Sequence, residues 1–189
     1  RFWLMAVGLL LVSAGIAGLI TNLVPMLIDK GVARQEVGKL AGLIGISVIC
    51  GRLITGFLLD HLWAPLVAAV FLSSPALAAV LLNVDTFNPT TLTIAIVIVG
   101  FAAGAELDLF AYLASRYFGL KHYGAIYGSL YVAFSIGAGI APFLFGLVFD
   151  WHQSYAFALQ VVVVASLAGG AMMLALGPYP AQFPGEGVH

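Results

Sequence analysis

Apolar residues run along this chain in six long blocks, and the breaks between them fall at clusters of charge, proline, glycine or asparagine. A run of 18 or more apolar residues is long enough to cross a bilayer as a helix. The pattern therefore predicts spans at about residues 2–28, 37–62, 65–82, 91–113, 124–149 and 155–176. Together they make one six-helix unit over 1–177, followed by an irregular Pro- and Gly-rich tail over 178–189. The fold class read from this pattern is an all-α membrane protein with both chain ends on one face. Ser73-Ser74-Pro75 lies mid-span and predicts a kink, because proline removes a backbone donor. Residues 115–123, with Arg116 and Lys121, read as a short polar loop. Trp3, Trp63 and Trp151 all fall at span ends, where an amphipathic ring prefers the headgroup level.

Composition agrees with the pattern. Of 189 residues, 62% are hydrophobic and 8% charged, against about 25% charged in a soluble domain. Mean hydropathy is +1.11. The net charge of -1 offers no basic field for nucleic acid. His61, His122, His152 and His189 lie at span ends or in the tail, never paired at helical spacing, so no metal site is expected. No nucleophile and base occur at matched depth, so an enzyme is not expected, and neither is a cofactor. The chain starts at Arg1 and a span follows at once, without the pattern of a signal peptide, which reads as a segment of something longer. Basic residues give no orientation, since Arg1, Arg116 and Lys121 on one face balance Lys30, Arg34 and Lys39 on the other. Acids lean to the face opposite the termini, at Asp29, Glu36, Asp85 and Asp150.

Against this background the few polar residues inside spans stand out. Arg52 lies roughly 12 Å along the second span from Asp60 at its end, near the middle of a hydrocarbon layer about 30 Å thick. A cation there costs roughly 3 kcal/mol on insertion scales, so it should face a watery cavity and pair with an anion. A guanidinium matches a carboxylate in two-pronged geometry, which suits an organic anion. The alternative is a structural pair with Glu106 or Asp108. These two acids lie about 200° apart on one helix and cannot share a cavity. Asp108 continues the stripe Gly100, Gly104, Tyr112 and reads as a packing position, while Glu106 is the better cavity candidate, as counter-ion to Arg52, proton carrier or hydrogen-bonded structural carboxyl. Tyr127 and Tyr131 offer hydroxyls to the cavity or aromatic packing, and Asn22 is a further polar candidate.

Gly56-Phe57-Leu58-Leu59-Asp60 closes the second span and Gly146-Leu147-Val148-Phe149-Asp150 the fifth. Each is the middle helix of a group of three, so the two Gly-x-x-x-Asp ends lie on opposite membrane faces, as in an inverted repeat. Gly56, Asp60, Gly146 and Asp150 accordingly read as gating or structural positions. Asp60 and Arg116 share one membrane face and suggest a gate, either as an ion pair or with Asp60 against the positive end of the fifth helix. Two solvated loop charges are the alternative.

Gly56-x-Leu58-x-Asp60, Arg52 four residues before Gly56, Arg116-Tyr117-Phe118-Gly119, and the glycine-rich span ending Ala141-Pro142-x-x-x-Gly146-x-x-x-Asp150 resemble the carboxyl-terminal half of a major facilitator superfamily transporter. The likeness is greatest to the monocarboxylate porters and the oxalate/formate antiporter group. It implies half of a twelve-helix fold, partnered by an amino-terminal six-helix half, that carries a small organic carboxylate across the cell (inner or plasma) membrane by alternating access. Protons are a possible coupling ion, and both termini of this segment would be cytoplasmic. Arg52 would bind the carboxylate, and Asp60 with Arg116 would help set the gate. Two departures separate this chain from its likeness. Val48 stands where proton-coupled porters have an aspartate, and no lysine occurs in the fifth span where the oxalate/formate antiporter uses one. A six-helix scaffold or accessory subunit without transport of its own is the alternative reading.

Overall fold

The computed structural model describes residues 1–29, 31–84 and 88–180. Lys30 and Asp85, the tail beyond Pro180 and His189 lie outside the described residues. Six helices make up the fold: α1 Phe2–Asp29, α2 Arg34–His61, α3 Ala64–Asn83, α4 Pro89–Phe118, α5 Tyr123–His152 and α6 Ala156–Leu174. All six are long and apolar enough to cross a membrane. No strand occurs among the described residues.

Local chemistry sets the helix ends. The Asn88 side chain accepts a hydrogen bond from Thr90 N at 3.0 Å, and Pro89 occupies the first helical position of α4, where a missing N–H costs nothing. At its other end α4 continues through Arg116 to Phe118 and stops at Gly119, whose φ of 73° favours glycine. The expected polar loop over 115–123 is thus shortened to four residues, and Arg116 belongs to a helix. Inside α3, helix continues through Pro75. Ser74 Oγ donates to the Phe71 carbonyl at 2.7 Å, the acceptor that proline leaves without its usual N–H partner.

The packing repeats under exchange of α1–α3 with α4–α6. α1 packs along α5 as α4 packs along α2, α1 meets α6 as α4 meets α3, and α3 and α6 meet each other. This is the inverted pair of three-helix groups. Small residues let the backbones close. A Cβ added to Gly51 would lie 2.6 Å from the Phe101 carbonyl of α4, and one on Gly104 would collide with the Val48 carbonyl of α2. Gly137 of α5 is held in the same way against Leu10 and Ser13 of α1. Only 22% and 17% of the spanning windows of α2 and α5 are buried, against 56% for α1 and α4. Leu53 and Phe57 on α2 and Val132 and Phe143 on α5 are among the apolar side chains left exposed.

Two tyrosines tie the segment after α6 to the bundle. Tyr179 Oη accepts from Ala64 N at 3.1 Å, satisfying a free donor at the start of α3. Its ring lies 5.3 Å from Tyr117 and under the Arg116 guanidinium, while the Tyr117 hydroxyl donates to the Gly177 carbonyl. Tyr179→Phe should therefore cost about 1 kcal/mol, the net worth of one hydrogen bond, seen as a small fall in the thermal midpoint in detergent.

Candidate functional site

The site is built where α2 and α4 run side by side. Ser47 and Ile44 pack on Gly100, Gly51 on Phe101, and Val48 on Gly104, so the two helices stay in close register up to Arg52. One turn beyond Gly104, Asp108 comes within reach of it. Arg52 Nε lies 3.6 Å from Asp108 Oδ2, and the two side chains are 56% and 45% exposed. The pair therefore sits on the open side of the bundle, where the sparsely buried α2 meets α4. No other ion pair or hydrogen bond engages Arg52 among the described residues, so most of its five donors stay available.

Of the two pairings left open by the sequence, Glu106 or Asp108, the structure forms the second. Asp108, read both as a packing position and as a possible structural partner of Arg52, is the counter-ion, and Glu106 is not. The stripe Gly100, Gly104, Asp108 does face α2, but it delivers a carboxylate there rather than a passive contact. Two residues earlier on α4 the helix points away, and Glu106 is 3% exposed with its Oε1 lacking any hydrogen-bond partner. It lines a cavity of about 290 Å³ between α1, α4 and α5, together with Ile16, Ile20, Thr21 and Phe134.

Of the other candidates, Tyr127 lies within electrostatic reach of both Arg52 and Asp108, and its ring stacks on Tyr123 at 5.6 Å. Tyr131 continues this aromatic row, 6.5 Å from Tyr127 and 5.3 Å from Phe134, with its own ring half exposed. Asn22 donates to the Gly18 carbonyl of its own helix at 3.0 Å and does not line the Glu106 cavity. The expected Asp60–Arg116 ion pair is not formed among the described residues. Arg116 instead lies over the Tyr112 and Tyr179 rings, 5.8 and 5.0 Å away, and Asp60 is exposed at the end of α2. Gly56 and Gly146 each have nothing within 4 Å of an added Cβ, and Asp150 is exposed at the end of α5. A second cavity of about 350 Å³ lies between α1, α5 and α6, lined by apolar residues such as Leu144, Phe157 and Val161. None of the candidate residues reaches it.

Sequence reading missed Ser13, Thr21 and Phe134 around Glu106, which carry no signal apart from their place on facing helices. It also missed Tyr179, which sits in a Pro- and Gly-rich segment with no periodic pattern.

Comparison with known proteins agrees with this architecture. The model of the Major Facilitator Superfamily matches residues 1–142. Monocarboxylate transporter 9 of Pongo abelii is 28% identical over 163 residues, which cover 79% of this chain and 31% of that protein. Monocarboxylate transporter 9 of Gallus gallus is 29% identical over 137 residues, covering 71% and 27%. The uncharacterized MFS-type transporter YhjX of Escherichia coli (strain K12) is 30% identical over 143 residues, covering 73% and 35%. The chain thus spans about a third of the length of these curated relatives.

Proposed function

The chain belongs to the major facilitator superfamily, and from that premise we propose that it forms the carboxyl-terminal half of a transporter that moves a small organic anion of the monocarboxylate type. The carrying observation is Arg52, a guanidinium in the middle of a membrane-spanning helix, held by one long contact to Asp108 and otherwise unengaged among the described residues. Such a group has few reasons to stay in a bilayer other than to meet an anion in a watery cavity. The relatives named as monocarboxylate transporters support the substrate class.

The mechanism follows from the pair. In the empty carrier, Asp108 neutralises Arg52 through Nε alone. An incoming carboxylate engages the guanidinium in two-pronged fashion and displaces Asp108, exchanging a weak contact for a stronger one. Tyr127, beside both charges, offers a hydroxyl to the same anion. The sparsely buried α2 and α5 would face an amino-terminal six-helix half, with Gly56 and Gly146 leaving room for its approach. Rocking of the two halves about Arg52 would give alternating access. Asp60, Arg116 and Asp150, at helix ends, would act where the halves close. The membrane would be the cell's inner or plasma membrane, with both termini of this segment cytoplasmic.

Uptake of labelled mono- and dicarboxylates by the full-length protein in proteoliposomes tests this reading. Transport of at least one monocarboxylate is expected, and transport of none would overturn it. Because Asp108 competes with the anion for Arg52, Asp108→Asn should lower the KM for the transported anion about tenfold, the equivalent of about 1.4 kcal/mol. A raised KM would show that Asp108 helps to bind the anion instead.

A further inference from the structure

One row of rings lies beside the charged pair without belonging to it. Tyr123, Tyr127 and Tyr131 recur at every fourth residue of α5 and so share one stripe of that helix. Tyr123 opens α5, and Tyr131 lies about 12 Å further along its axis. Arg52 lies at a similar depth from the same membrane face, eight residues before Asp60 near the end of α2. The row therefore descends from that face to the level of the guanidinium. Its rings form a continuous series. Tyr123 and Tyr127 are stacked, their planes 4° apart and their centroids 5.6 Å apart, Tyr131 follows at 6.5 Å from Tyr127, and Phe134 lies 5.3 Å from Tyr131.

The rings and the charges border one gap. α2 and α5 do not pack on each other, while α4 packs on both and forms the floor between them. Tyr127 lies within electrostatic reach of Arg52 and Asp108 across that floor. The wall next to the rings is bare, since nothing lies within 4 Å of a Cβ added at Gly124 or Gly128. Tyr123 and Tyr127 are partly exposed and Tyr131 is half exposed. A helix seated on these rings would also cover Arg52 and Asp108 and strip water from both charges, at a cost that no partner repays. A small anion brings its own carboxylate to the guanidinium and avoids that cost. A short aliphatic carboxylate, however, needs Arg52 alone and leaves the row without a use. A flat ring gives it one, because aromatic groups settle offset-stacked or edge-to-face at about 4.5–7 Å, the spacing that the row already keeps between its own members.

Resting on the organic-anion reading above, we propose that the anion carried at Arg52 is an aryl-substituted monocarboxylate. Its carboxylate sits on Arg52 and its ring lies against Tyr127, with Tyr123 and Tyr131 continuing the aromatic surface on either side. No bond forms or breaks. The charge fixes one end of the substrate and the row selects its body, so affinity comes from Arg52 and discrimination among monocarboxylates from α5. The same row gives a departing or arriving ring a continuous surface between the depth of Arg52 and the membrane face at Tyr123.

The test compares phenylpropionate, cyclohexylpropionate and propionate as substrates of the full-length transporter in proteoliposomes, each corrected for entry into protein-free vesicles. Cyclohexylpropionate matches phenylpropionate in length and bulk but has no flat π face. Wild type should prefer phenylpropionate over cyclohexylpropionate in kcat/KM by about fivefold, the size of one aromatic pair. Tyr127→Leu should erase that preference while keeping propionate uptake and the thermal midpoint. Tyr127→Phe should preserve the preference, since the ring remains and any contribution of the hydroxyl is common to all three anions. Should Tyr127→Leu fail to reach the vesicles, Tyr131→Leu, at a more exposed position of the same row, should lower the preference in its place. Equal uptake of the phenyl and cyclohexyl compounds by wild type would overturn the proposal. An unchanged preference in the leucine variant would do so too, as would an equal loss of all three anions there, which is what a purely structural ring predicts. Transport of propionate without phenylpropionate would sink the aryl assignment and leave the organic-anion reading standing, whereas transport of no carboxylate at all would remove both.

Discussion

Arg52→Lys should reduce anion uptake by the full-length transporter at least about 100-fold, because a lysine keeps the charge but loses the planar fork that grips both oxygens of a carboxylate. A hundredfold loss corresponds to about 2.7 kcal/mol. Arg52→Ala should abolish uptake outright. The fold should survive both changes. The Arg52–Asp108 pair is about half exposed on both sides and held by a single 3.6 Å contact, so its loss should cost at most about 1 kcal/mol of stability. Unchanged thermal midpoints alongside lost uptake would place the effect at binding. Adding Asp108→Asn to Arg52→Ala removes the stranded carboxylate yet should recover no transport, since the guanidinium proposed to receive the anion is gone. Undiminished uptake by either Arg52 variant would remove Arg52 from the site.

The architecture was legible because hydropathy reports a solvent boundary, and a membrane-spanning helix must satisfy its own backbone whatever its neighbours do. Boundaries followed where a local signal existed, as at Asn88-Pro89, and slipped where the deciding residue lay outside the apolar run. Gly119 ends α4, so the helix carries Arg116 past the point where hydropathy falls. The repeat was legible from two short Gly-x-x-x-Asp matches, and the helix packing extends it to every element. The site was only half legible. Helical periodicity correctly separated Glu106 from Asp108 by flank, yet it carried no information on which flank met α2. That choice is made by Gly51, Gly100 and Gly104, which set the depth and register of the crossing. The ion pair expected between Asp60 and Arg116 is not formed among the described residues, and Arg116 lies over aromatic rings instead. A tyrosine more than 60 positions along the chain from Arg116 covers its guanidinium, and no sequence window joins the two.

Because the crossing chooses the counter-ion, Gly104→Ala should damage both the fold and the site. An added methyl at Gly104 would run into the Val48 carbonyl, and backbone cannot turn aside as a flexible side chain can. Overpacking of this kind costs about 1–3 kcal/mol, which exceeds the gain of about 1 kcal/mol that alanine brings over glycine in a helix interior. The net sign is destabilising, and the same push moves α4 away from α2. Arg52 and Asp108, already at 3.6 Å, would then separate. Gly56→Ala provides the opposite case on the neighbouring helix. Nothing lies within 4 Å of its added Cβ, so helix propensity alone acts and the thermal midpoint should hold or rise. If Gly56 is kept small for the approach of the other half, this variant should remain folded and transport slowly. Thermal unfolding and uptake measured on the pair of variants separate the two roles. Equal stability of Gly104→Ala and wild type would mean that the α2–α4 crossing does not set the site.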